Sequence, residues 1–140
     1  LDYAATDTAS TISTITGLTA GRSYMYAQEN GNDADGTALT SHVTSGDFVI
    51  PQAGEKLMSI KRFIPDFKNQ KGTVNVDLNF KLYPASSTVT NGPFAVTTST
   101  TKVDTRARGR QASIKISTSA VDTTWRYGTY RAEIQPDGMR

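Results

Sequence analysis

The sequence predicts an all-β chain, an antiparallel β-sandwich-like domain over residues 21–140 preceded by an extended N-terminal arm over residues 1–20. Residues 73–82 alternate strictly, with Val74, Val76, Leu78, Phe80 and Leu82 set against Thr73, Asn75, Asp77, Asn79 and Lys81. That period of two marks a long strand with one face in a core and one in water. Ser and Thr account for 33 of the 140 residues, mostly Thr, whose branched Cβ favours strands over helices. The remaining apolar residues come in short groups separated by Gly, Pro, Asn and Asp, the punctuation of turns.

The arm, residues 1–20, is mostly Ala, Thr, Ser, Asp and Gly, with Ile12, Ile15 and Leu18 spaced by three. This spacing fits neither a clean strand nor a helix of good formers, so it reads as extended with one weak strand. After a turn at Ala20-Gly21, residues 22–29 (RSYMYAQE) read as a strand with Tyr24 and Tyr26 on one face. NGNDADG (30–36) then reads as the connection of a hairpin between 22–29 and 37–44, its Asn and Gly supplying positive φ. The stretch superficially resembles a calcium loop, but setting Gly36 at the sixth position puts Gly31 at the first and His42 at the twelfth, where carboxylates are required. Phe48-Val49-Ile50 is a short apolar run ended by Pro51.

Residues 54–67 (GEKLMSIKRFIPDF) read as a strand with Met58, Ile60 and Ile64 on one face and Lys61 and Phe63 on the other, ending or bulging at Pro65. Residues 73–82 follow as the central strand, closed by Tyr83-Pro84. Residues 85–92 read as a polar loop, Phe94 and Val96 as a short strand, and TTSTT (97–101) as an exposed linker. Ala112, Ile114 and Ile116 alternate with polar residues, giving a strand over 110–118, with Gly109 as a bulge or a close backbone approach. In the last strand, 125–135, Trp125 and Tyr127 have the opposite parity to Tyr130, Ala132 and Ile134, which a bulge at Gly128 would reconcile; Pro136-Asp137-Gly138 reads as a closing turn.

Length and 36% hydrophobic content suit one domain. The absence of cysteine excludes disulfides, thiolate metal sites and a cysteine nucleophile. No apolar run reaches membrane-spanning length, and no signal-peptide pattern opens the chain. The first residue is Leu1, which suggests a processed product or an internal piece of something longer. Net charge is +2 but unevenly placed: residues 1–50 hold six acids against Arg22, whereas 106–140 hold six arginines and Lys115 against three acids. Such asymmetry suggests head-to-tail contact between copies or two different partners.

No nucleophile elbow, phosphate-binding glycine loop or HExxH motif is present, and the single His42 makes no triad by itself. No catalytic, cofactor-binding or metal-binding residues are assigned. The candidate interface is Arg106, Arg108, Arg110, Trp125, Arg126, Tyr127, Arg131 and Arg140. In strand geometry Arg106, Arg108 and Arg110 point to one side. Such a ladder suits a protein interface, where Arg, Trp and Tyr are enriched, or nucleic acid, or pairing with Asp104, Asp122 or Glu133 across strands. A carbohydrate-binding β-sandwich, stacking sugars on Tyr24, Tyr26 and Trp125, is the alternative from another class.

Five segments in register, SGDF (45–48), GEKLMSIKRFIPDF (54–67), the alternating strand ending in YP (83–84), RARGRQ (106–111) and WRYGTYRAEIQPDGMR (125–140), carry a resemblance. Together they resemble the C-terminal region of the tail nozzle or hub proteins of short-tailed bacteriophages, also called packaged-DNA stabilisation proteins. The resemblance implies a terminal portion of a longer, β-rich, propeller-like protein and a structural, non-enzymatic role in the virion. It further implies copies in a ring below portal and adaptor, contact with other tail proteins and fibres, and help in retaining and conducting DNA. No cofactor is implied. The matching residues are Arg106, Arg108, Gly109, Arg110, Trp125, Arg126, Gly128, Arg131, Pro136, Asp137, Gly138 and Arg140, with Met139 standing where a basic residue is expected.

Overall fold

The computed structural model describes residues 10–11, 24–25, 31–34, 36–50 and 56–139. These form strands and no helix: β1 (Ser10–Thr11), β2 (Tyr24–Met25), β3 (Asp33–Ala34), β4 (Thr37–Ala38), β5 (Ser41–Thr44), β6 (Lys56–Ile64), β7 (Phe67–Lys71), β8 (Val74–Lys81), β9 (Val89–Val96), β10 (Val103–Gly109), β11 (Gln111–Thr118), β12 (Thr124–Tyr127) and β13 (Arg131–Met139). All pairings among them are antiparallel.

The alternating stretch becomes β8, flanked by β11 and β9 in a four-stranded sheet of order β5-β11-β8-β9. Val74, Val76, Leu78 and Phe80 point inward from it, joined by Ala112, Ile114 and Ile116 of β11 and Val96 of β9. A three-stranded sheet of order β10-β6-β13 supplies Met58, Ile60, Phe63 and Ala107 to the same core. One cluster fed by the inner faces of two antiparallel sheets is the sandwich-like arrangement predicted from the sequence. Residues 45–48 continue β5 along β11: Ser45 N donates to the Ile114 carbonyl, and Phe48 exchanges backbone hydrogen bonds with Ala112.

Several local expectations are corrected. Phe63, not Ile64, enters the core, at 2% against 41% exposure. The cause is an irregularity at Lys61: Ile60 pairs with Ala107 and Ile134, and Arg62 with Asp104 and Glu133, so Lys61 is the extra residue against β13. The inward parity of β6 shifts there. The Thr105 hydroxyl, itself buried, donates to the Ile60 carbonyl at 2.5 Å across this point.

Leu82 is exposed, so β8 buries four rather than five apolar side chains. The chain turns after Lys81, where the Ser86 hydroxyl accepts the Leu82 and Tyr83 N–H groups. The predicted loop 85–92 gives way to β9 at Val89, making that strand eight residues long. Residues 97–100 form a tight turn, with Thr100 N donating to the Thr97 carbonyl at 3.0 Å, on the way from one sheet to the other.

The predicted hairpin between 22–29 and 37–44 is also replaced. Asp33–Ala34 pairs with Thr37–Ala38 in a tight hairpin of its own, whose Asp33 carboxylate accepts the Gly36 N–H at 3.0 Å, and β5 pairs with β11. Of the predicted arm only Ser10–Thr11 is described, paired with Tyr24–Met25; the rest of 1–20 lies outside the described residues, as do 26–30 of the predicted Tyr strand and its turn.

The last predicted strand is two strands rather than one with a single bulge. β12 pairs with β7, β13 pairs with β6, and the switch falls at residues 128–130 opposite Pro65-Asp66. Gly128 N donates to the Asp66 carbonyl at 2.8 Å, and Thr129 N donates to the Asp66 carboxylate at 3.3 Å. A Cβ at Gly128 would lie 2.9 Å from Asp66 Cγ and Oδ2, so only glycine fits this corner without a shift. Pro136-Asp137-Gly138 does not end the strand; it is an irregular segment inside β13, which resumes pairing at Met139 opposite Lys56.

Candidate interaction surface

Alternation along β10, β6 and β13 sends one set of side chains into the core and leaves the other on the outer face of the three-stranded sheet. Register then brings them into rows. Arg108, Ser59 and Gln135 share one row; Asp104, Arg62 and Glu133 share another; Arg131 lies opposite Ile64. Arg62 sits between two carboxylates, with Nε 3.4 Å from Asp104 and 3.2 Å from Glu133. Lys102 approaches Asp104 at 3.8 Å. Arg108 reaches across β6 to Asp137 at 2.5 Å, and Arg131 lies 3.6 Å from Asp66. These pairs are largely exposed, so each contributes about 0–1 kcal/mol and their main effect is to hold the guanidinium groups in place. Lys61, Arg62, Arg106 and Arg108 line an open groove on this face, with Thr105 and Asp104 beside them.

The predicted three-residue arginine ladder is only partly formed. Arg106 and Arg108 are exposed on β10, but Arg110 is the single residue joining β10 to β11 and thus lies where the chain leaves one sheet for the other. Its N–H donates to the Lys81 carbonyl at 2.9 Å, and its guanidinium stands 5.0 Å from the Tyr83 ring centroid, a cation–π distance. Gly109 permits this crossing because a Cβ there would meet Phe80 at 3.0 Å. The close approach, not a bulge, explains that glycine.

Trp125 and Tyr127 lie on the β7–β12 ribbon, not on the three-stranded sheet. Trp125 meets Phe67 edge-on at 6.1 Å and packs partly buried against the core. Tyr127 lies 5.8 Å from the same ring and is 39% exposed; burial, and secondarily the Asp66 carboxylate, raise its phenol pKa. Behind it, burial pushes the Tyr130 hydroxyl up much further, with Tyr127 adding to the effect, and that oxygen has no hydrogen-bond partner among the described residues. Arg126 is exposed on β12 opposite Lys68. Arg140 and the side chains of Tyr24 and Tyr26 lie outside the described residues, so no stacking platform joining those tyrosines to Trp125 is described.

The structure thus brings Arg106, Arg108 and Arg131 to one face, sends Arg110 to a sheet junction, and puts Trp125, Arg126 and Tyr127 on a separate ribbon. Lys61 and Arg62 join the arginine face, although the sequence sets Lys61 beside Phe63 on one face of the strand and neither residue is among the predicted interface residues. Adjacency of β6 to β10 puts them there, and only the neighbouring basic pair in SIKRF signalled it. His42 is exposed on β5 opposite Ser117. Among the described residues no helix is long and apolar enough to cross a membrane. No family model, curated protein or solved structure matches this chain.

Proposed function

We propose that this chain is a structural, non-enzymatic assembly module of a virion, the C-terminal part of a phage tail nozzle or hub protein whose copies form a ring below portal and adaptor. The tail assignment is supported by the sequence resemblance of the five segments within 45–140. The single observation that carries the assembly role is the outer face of β10, β6 and β13, where Arg62 and Arg108 are braced by carboxylates on neighbouring strands. Ordered guanidinium groups on a rigid sheet lose little entropy on docking and suit contact with another protein surface. An acidic N-terminal portion and a basic C-terminal one on the same chain fit a heterologous contact, which closes into a ring.

In this reading the chain docks to its own copies and to adaptor, other tail proteins or fibres, and it touches DNA in the channel only secondarily and without sequence preference. The test is electron microscopy of tails assembled with Arg106→Glu and Arg108→Glu. Missing or malformed rings are expected; undisturbed rings would sink the proposal.

A further inference from the structure

The outer face of the three-stranded sheet is not fully balanced. Its carboxylates are all engaged, Asp104 and Glu133 by Arg62 and Asp137 by Arg108. Lys61 and Arg106, by contrast, have no ion-pair partner among the described residues. They lie on neighbouring strands and line the same groove because of the same irregularity that turns Phe63 inward: β10 places Thr105 and Arg106 opposite the single Lys61. Two like charges facing each other across adjacent strands repel, so a negative group arriving between them is favoured.

The opposite imbalance lies at the β3–β4 hairpin. Its described residues carry Asp33 and no basic residue, within a sequence stretch, 29–36 (ENGNDADG), whose other two acids, Glu29 and Asp35, lie outside the described residues. The Asp33 carboxylate accepts the Gly36 N–H but makes no ion pair among the described residues. This hairpin is tied to the connection between β11 and β12, where Asn32 Nδ2 donates to Asp122 at 3.3 Å, and Asp122 is itself paired with Lys71. Asp33 makes no ion pair with Lys61 or Arg106 within one chain.

We propose that Lys61 and Arg106 form the receptor for the acidic β3–β4 hairpin of a second copy of this chain, so that copies join head to tail. The inference rests on the assembly reading above and names the surfaces that would make the contact. A patch that binds a different patch leaves one of each unfilled in a pair, which propagates until a ring closes. A nucleic-acid backbone is the poorer occupant, because it presents a continuous row of charges, whereas Asp104, Glu133 and Asp137 already occupy Arg62 and Arg108 on this face and leave only the two neighbouring cations, which suits a single side-chain carboxylate.

The experiment uses the full 140-residue chain in sedimentation velocity at low and high salt. Wild-type self-association is expected to weaken with salt, and Lys61→Glu with Arg106→Glu to weaken it about tenfold or more. Asp33→Asn, which keeps an acceptor for the Gly36 N–H, is expected to weaken it about threefold. Each variant keeps one intact half of the contact, so mixing the two restores association. Lys61→Gln with Arg106→Gln, which adds no new charge, guards against misfolding as the cause of loss. Association unchanged in the double variant, or not restored by mixing, overturns the hairpin contact while leaving the assembly reading in place. A wild-type chain that stays monomeric at every concentration overturns both. Loss of binding to a duplex DNA oligonucleotide with self-association intact reassigns the two cations to nucleic acid and overturns the proposal.

Discussion

Gly128→Ala is the substitution whose cost can be worked from the corner geometry. The new Cβ would stand 2.9 Å from Asp66 Cγ and Oδ2 and 3.0 Å from the Asp66 carbonyl oxygen. The carboxylate can swing away, but it then gives up the Thr129 N–H at 3.3 Å and its approach to Arg131 at 3.6 Å. A lost hydrogen bond costs about 0.5–1.5 kcal/mol, and an exposed ion pair about 0–1 kcal/mol. The carbonyl oxygen cannot follow, because it accepts the Gly128 N–H at 2.8 Å. Displacing that backbone adds about 1–2 kcal/mol, against which the stiffer unfolded chain of the alanine variant returns about 0.4–1 kcal/mol. The net expected destabilisation is about 2 kcal/mol, read from urea unfolding by linear extrapolation. In an Asp66→Ala background the same substitution should cost about 1 kcal/mol less, since the side-chain clash is gone. A Gly128→Ala variant within about 0.5 kcal/mol of wild type would refute the corner as the reason for glycine.

Three further outcomes are expected. Leu78→Ala removes a side chain with 0% exposure and should cost about 2–5 kcal/mol in thermal unfolding, while Leu82→Ala, at 48% exposure, should cost less than about 1 kcal/mol; equal effects would contradict the assignment of β8. Tyr130→Phe removes a hydroxyl with no described partner and should leave the melting temperature unchanged or raise it. Because burial raises the Tyr130 pKa above its ordinary 10.0, the stability tied to its neutral form is complete below that value and lost as pH rises beyond it, so Tyr130→Phe should also flatten alkaline denaturation. At the acid end, Asp47 and Asp122 are held below their ordinary 3.8 by hydrogen bonds from Lys81 and Lys71. Their contribution is present above that value and lost as pH falls through the lowered pKa values, so Asp47→Asn and Asp122→Asn should each make the acid limb of a urea-midpoint profile shallower.

The all-β character and the position of the central strand were legible from residues alone. In β8 each inward residue is followed by an outward one, so the burial pattern is written locally, residue by residue, without reference to any other strand. The strand over 110–118 was readable for the same reason; at Gly128 the change of parity was visible, but the bulge expected there is instead the place where the chain passes from β12 on β7 to β13 on β6. What lay beyond local reading depends on which strand stands beside which. Phe63 displaced Ile64 because β6 must satisfy two neighbours in different register, and that mismatch appears at Lys61 only once both neighbours are in place. Arg110 left the arginine ladder because the chain passes from one sheet to the other there, over Phe80. The same tertiary pairing set Arg62 between Asp104 and Glu133 and left Lys61 and Arg106 without an ion-pair partner among the described residues. A sequence carries charge and periodicity; the partners of each charge come from contacts between residues dozens of positions apart, and those are decided by the packing of the two sheets.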